Sequence, residues 1–134
     1  MKISNDKFKI DDKSILNYYE IKSNKPKLLL LHAQGTNSLS FMSVINKLSK
    51  YFHIYLVDYY GHGKSSFNRE KYNLIDIGND IIKFIEEVIK DNVSVFPIHI
   101  QDISLLLPSS AINEMPTGLA GLMVAALFGL SWCA

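Results

Sequence analysis

Three observations predict an α/β fold for most of this chain: unbroken apolar runs of strand length, segments of helical period between them, and glycine-containing turns after the runs. The runs lie at residues 27–32, 52–57 and 93–96, and the helical segments at 39–50 and 73–90. Strand, helix, strand, helix, strand predicts an open, mostly parallel sheet with flanking helices, right-handed crossovers and sites at the carboxyl ends of the strands. An apolar C-terminal helix is expected to follow at residues 115–134.

Each element has its own reason. Residues 8–10 and 14–21 carry weak strand patterns around Asp11-Asp12-Lys13, whose side chains suit a hairpin turn. Pro26 then introduces residues 27–32, where Leu28 to Leu31 give a run that suits a strand covered on both faces. In 39–50, Phe41, Met42, Val44, Ile45 and Leu48 recur at helical spacing, with Ser38 or Ser40 as the expected cap. Residues 52–57 are β-branched and aromatic up to Asp58, and His53 reads as an ordinary strand residue. In 73–90, Leu74, Ile77, Ile81, Ile82, Ile85, Val88 and Ile89 oppose a face of Asp, Asn, Glu and Lys, with Asn92 expected to end the helix.

Composition narrows the function. Lys and Arg number 14 against 13 Asp and Glu, so the charge balance implies no nucleic-acid partner, and one cysteine excludes an internal disulfide framework. Residues 1–13 are too polar for a signal peptide, which predicts a cytoplasmic body. No metal or cofactor is expected: Gly63-Lys64-Ser65 matches the end of a phosphate-binding loop, but Asp58 stands where that motif needs glycine. No G-x-G-x-x-G occurs either.

Two groups remain at the predicted strand ends, His32-Ala33-Gln34-Gly35 and Asp58-Tyr59-Tyr60-Gly61-His62-Gly63-Lys64-Ser65. Their order and separation, about 25 residues, resemble the N-terminal part of the α/β-hydrolase family, over about residues 8–97. The family's H-G-x-G becomes His32-Ala33-Gln34-Gly35, with alanine for the first glycine, and its D-x-x-G-x-G-x-S is intact from Asp58 to Ser65. The resemblance implies an esterase or lipase-like activity on a small uncharged acyl substrate. It implies that the loop after the first of these strands donates a backbone N–H to an oxyanion hole, here from Gln34, assisted by Ala33. His32, Gly35, Asp58, Gly61, Gly63 and Ser65 would hold the two loops.

A complete enzyme of this kind also needs a G-x-S-x-G nucleophile elbow after the next strand, then an acid and a histidine. No glycine lies between Gly78 and Gly118, so no elbow can be built there, and no catalytic set is complete. His99, Asp102 and Ser104 lie close in sequence, but no strained turn exposes the serine, and they read as an incidental polar cluster. The expectation is a truncated α/β-hydrolase with negligible activity.

The vocabulary changes after residue 97. Every Lys and Arg lies within residues 1–90, only Glu114 is charged after Asp102, and five of the last 32 residues are alanine. Residues 98–114 read as a junction, from fusion or a shifted reading frame, and 115–134 as an uncharged helix of about 30 Å, long enough to enter a membrane, or alternatively a buried helix packed against the open sheet. Gly121, Ala125 and Gly129 share one face of that helix. Residues 115–128 resemble a transmembrane segment of the sodium:solute symporter family. The alternative reading is therefore a non-enzymatic α/β domain with a membrane-inserting, transporter-derived tail, prone to self-association through its open sheet.

Overall fold

A computed structural model describes residues 1–71 and 73–97 of the chain. The expected junction at 98–114 and apolar helix at 115–134, with its symporter-like segment, lie outside the described residues. Among the described residues no helix is long and apolar enough to cross a membrane.

The strands are β1 (Ser4–Lys9), β2 (Ile15–Ile21), β3 (Lys27–Leu31), β4 (His53–Val57) and β5 (Val93–Pro97). The helices are α1 (Met42–Leu48), entered through a 3-10 turn (Ser38–Phe41), and α2 (Leu74–Phe84), extended by a π-helical turn (Ile85–Ile89). They form one sheet in the order β1-β2-β4-β3-β5. The sheet is mixed rather than mostly parallel: β3 pairs in parallel with β4 and β5, whereas β2 pairs antiparallel with both β1 and β4. The reason is connection length. A short turn joins β1 to β2 and residues 22–26 join β2 to β3, and such links reverse the chain, while only the helical crossovers allow parallel neighbours.

β1 begins earlier than its apolar pattern, at Ser4. Only Phe8 of the strand is buried, and the backbone pairing Ser4↔Glu20 to Lys9↔Ile15 makes a polar segment into an edge strand. The Asp11 to Lys13 turn forms as expected, with Lys13 N–H donating to Asp11 Oδ1 at 2.8 Å.

β3 and β4 explain their own unbroken runs. Leu28, Leu30, Ile54 and Leu56 pack with Phe41 and Ile45 on the α1 face, and Leu29, Leu31, Tyr55 and Val57 pack with Ile77, Ile81 and Phe84 on the α2 face. Both faces need apolar residues because β4 lies on one side of β3 and β5 on the other, so right-handed crossovers place α1 and α2 on opposite faces. Phe84 anchors the α2 side, with Phe8, Tyr18 and Tyr55 edge-on to it at centroid distances of 5.7, 4.9 and 6.1 Å.

Two helix boundaries differ from expectation. The cap before α1 is Asn37, whose side chain accepts from Leu39 N–H, not Ser38 or Ser40. The Ser38 N–H is already committed to Asp58. The second helix ends at Lys90, in the left-handed region with φ 55°, before Asn92. Lys27 Nζ reaches the Ile89 carbonyl at 2.9 Å and lies 3.6 Å from Asp91, which ties that terminus to the start of β3. The start of α2 is fixed by Asn73, which accepts the Asp76 N–H and donates to the Asp76 carboxylate.

Candidate functional site: the loops at the carboxyl ends of β3 and β4

The register aligns Leu31 with Val57 on one side and with Pro97 on the other, so the ends of β4, β3 and β5 stand in a row. Because β3 lies between β4 and β5, this is the point at which an α/β sheet opens a crevice. Both predicted loops leave from this row.

The first loop is built around a carbonyl. Ala33 O accepts from His32 Nδ1 at 2.8 Å, Thr36 Oγ1 at 2.7 Å and Thr36 N–H at 3.1 Å. The Thr36 to Ala33 bond closes a β-turn, and Gly35 at its third position has φ +82°, the geometry of a type II turn. Ala33 is buried and does not have positive φ, so alanine fits where the hydrolase pattern has its first glycine. Gln34 is exposed at the tip, and its N–H donates to no group among the described residues. The Ala33–Gln34 peptide is trans and planar, so the three donors on Ala33 O point the Gln34 N–H the opposite way.

His32 is buried and its tautomer follows from its partners. Nε2 accepts the Tyr59 N–H at 3.0 Å, which leaves Nδ1 as the donor to Ala33. Burial, and to a smaller degree the neighbouring His62, pushes this imidazole below the ordinary histidine value, against the opposing pull of the Ala33 carbonyl and Asp58. The neutral ring lies against Tyr59 at a centroid distance of 4.4 Å.

The second loop is built around Asp58, which is 2 % exposed. Its Oδ1 accepts from Ser38 N–H at 2.8 Å, and its Oδ2 from Asn17 Nδ2 at 3.0 Å and Lys64 N–H at 3.1 Å. Burial alone would raise its pKa, but the Ser38, Lys64 and Asn17 hydrogen bonds outweigh it and hold the carboxyl below the ordinary aspartate value. Gly63, with φ +51°, passes so close that a Cβ there would sit 2.3 Å from Asp58 Oδ2. Gly61, at φ +80°, donates to Ser66 O at 2.7 Å. Ser65 is buried, and its hydroxyl donates to Asp58 O at 2.7 Å while accepting Asn17 N–H at 2.8 Å.

The structure thus brings His32, Ala33, Gln34, Gly35, Asp58, Gly61, Gly63 and Ser65 to one end of the sheet, joined through Ser38 and Tyr59. Two residues of this arrangement were not singled out by sequence reasoning. Asn17 is 0 % exposed in β2 and ties Asp58 to the hairpin, and its signal is a polar residue inside an apolar and aromatic strand. His62 bridges the loops: its Nδ1 faces Tyr60 O at 3.1 Å, and its Nε2 accepts Gly35 N–H at 3.2 Å. Its signal is a histidine between two glycines at a strand end. Beyond the loop, Arg69 lies over the Tyr60 ring at 3.9 Å and pairs with Asp80 through two bonds of 2.7 and 2.9 Å. No group of acidic, histidine and cysteine side chains among the described residues could hold a metal ion.

No protein-family model matches the sequence, and no curated protein matches it. Solved structures do match. A hydrolase from Pseudomonas aeruginosa PA01 is similar with a TM-score of 0.65 at 22% identity, over 70% of this chain and 36% of its own. A haloalkane dehalogenase from Bradyrhizobium elkani USDA94 has a TM-score of 0.66 at 22% identity, over 72% and 33% of the two chains. A mutant of a protein described as an epoxide hydrolase, from Pseudomonas aeruginosa, has 0.63 at 18% identity, over 72% and 32%. This chain spans about a third of the length of each. The fold of the described residues is therefore part of the α/β-hydrolase fold.

Proposed function

We propose that residues 1–97 are the N-terminal part of an ester hydrolase of the small esterase or lipase-like kind, acting on an uncharged acyl substrate through a serine nucleophile. In this reading the Gln34 N–H, assisted by Ala33, is an oxyanion-hole donor, and His32, Gly35, Asp58, Gly61, Gly63 and Ser65 hold the loops. The observation that carries the reading is the aimed Ala33–Gln34 peptide, whose carbonyl is held by three donors while its N–H donates to no group among the described residues. A donor fixed in this way needs no reorganisation as negative charge develops, and one such donor contributes about 3–4 kcal/mol to a transition state.

The position after β5 is where the elbow belongs, and the sequence from Pro97 to Thr117 contains no glycine. The 134-residue chain should therefore show negligible hydrolase activity. The test is incubation of the purified chain with a short-chain p-nitrophenyl ester and with a serine-directed phosphonate. Neither turnover nor labelling is expected, and turnover abolished by the phosphonate would overturn the assignment of inactivity.

The uncharged stretch at 115–134 supports a second reading, a membrane-inserting tail on a non-enzymatic domain. Vesicle flotation of the full chain but not of a chain ending at Phe96 would support it. A full chain that stays at the bottom of the gradient would overturn it.

A further inference from the structure

We infer that His62 is a positioning residue for the turn at the end of β3: its Nε2 captures the Gly35 N–H and fixes the flip of the Gln34–Gly35 peptide beside the proposed oxyanion donor. The inference rests on the reading of residues 32–35 as an oxyanion loop.

A β-turn closed from Ala33 O to Thr36 N–H leaves its central peptide free to adopt two orientations, which distinguish type I from type II turns. Glycine at the third position permits type II without selecting it, since nothing lies within 4 Å of where a Gly35 Cβ would be. Selection needs a partner for the central N–H. His62 supplies one from the other loop, 27 residues away in sequence. Its Nδ1–H donates to Tyr60 O at 3.1 Å, which leaves the Nε2 lone pair to accept Gly35 N–H at 3.2 Å. In the flipped orientation the Gln34 carbonyl oxygen would face this lone pair, and the two acceptors repel. The flip would also swing that carbonyl, the negative end of a dipole, to the other side of the turn that carries the Gln34 N–H. The ring is itself held in place, with His32 at a centroid distance of 5.2 Å and Tyr59 at 6.0 Å. His62 thereby does for the Gln34–Gly35 peptide what Thr36 and His32 do for the Ala33–Gln34 peptide.

The test is nuclear magnetic resonance on the labelled full chain and two variants. Wild-type His62 at alkaline pH should be the Nδ1–H tautomer. H62N keeps a donor for Tyr60 O but has no acceptor near Nε2, so Gly35 amide exchange should quicken by about five- to tenfold. H62Q, whose amide oxygen reaches the place of Nε2, should restore at least half of that protection. The Lys64 amide, bonded to Asp58, serves as the control for a folded loop. An Nε2–H tautomer in the wild type, unchanged Gly35 exchange in H62N, or no restoration in H62Q would each overturn the positioning role. Should H62N not fold, the wild-type tautomer alone decides. The Gln34 amide separates this inference from the reading beneath it: a Gln34 N–H protected in the wild type would refute the oxyanion donor while leaving the His62 clamp in place.

Discussion

Replacement of Gly63 by alanine tests the construction of the Asp58 loop most directly. The new Cβ would lie 2.3 Å from Asp58 Oδ2, 2.4 Å from Cγ and 2.7 Å from Oδ1. Ordinary contact requires the carboxylate to retreat by about 1 Å. It cannot do so freely, because it is held at 2.8, 3.0 and 3.1 Å by Ser38, Asn17 and Lys64. Loss of one hydrogen bond to a charged group costs about 1.5–3 kcal/mol. The left-handed backbone at φ +51° adds about 1–2 kcal/mol for any residue with a Cβ. G63A should therefore destabilise the protein by about 3–5 kcal/mol. G35A is the internal control: its φ is +82° and its Cβ would meet nothing within 4 Å, so only the backbone cost of about 1–2 kcal/mol applies. The assay is urea denaturation of the full chain at equal protein concentration, with midpoints compared at unchanged slope. The backbone cost is common to both variants, so they differ by the hydrogen-bond loss of about 1.5–3 kcal/mol. With a slope of about 1–3 kcal/mol per molar, the two midpoints should differ by about 0.5–3 M. Equal midpoints for G63A and G35A would refute the claim that the Asp58 carboxylate is fixed against the glycine turn.

Further outcomes follow from the same geometry. Asp58 is held below the ordinary aspartate value, so its contribution is complete above that value and is lost as pH falls through the folded one; unfolding midpoints should drop across acid pH in the wild type and change less in D58N. His32 is likewise depressed, so its neutral form favours folding above the ordinary histidine range and that support fades as pH falls below it; nitrogen shifts should show a neutral Nδ1–H ring persisting below pH about 6.5, and a ring protonated at that pH would contradict the buried network. R69A should cost about 3–5 kcal/mol because it strands Asp80, whose side chain is 8% exposed, and the double variant R69M/D80L should recover part of the loss in the same denaturation assay.

Much of the architecture is legible in local pattern. Leu28 to Leu31 alternate between two helix-covered faces, and Ile77, Ile81 and Phe84 return every three or four residues to one face. The hairpin pattern is weak because β1 is an edge strand in which none of Ser4 to Lys7 is buried and the segment is ordered by pairing with β2 rather than by apolar spacing. The helical span 73–90 matches α2 and its π-helical turn, but the residue that ends it is Lys90 rather than Asn92, because Lys90 takes a left-handed conformation that nothing in its type favours. In the site, the two loop motifs stand out as strings of glycine and polar residues at strand ends. Whether Ala33 could replace a glycine depends on its φ, which the string of letters does not state.

The sequence by itself determined β3, β4, β5 and the two helices, and that β3 and β4 are covered on both faces, because the length of an apolar run and the 3.6-residue period are local properties of the chain. The tertiary structure alone decided the order β1-β2-β4-β3-β5, the antiparallel half of the sheet, and the partners of the two loops. Asn17 meets Asp58 across 41 residues and His62 meets Gly35 across 27. Such partners are chosen by which strands lie side by side, and no local period records that choice.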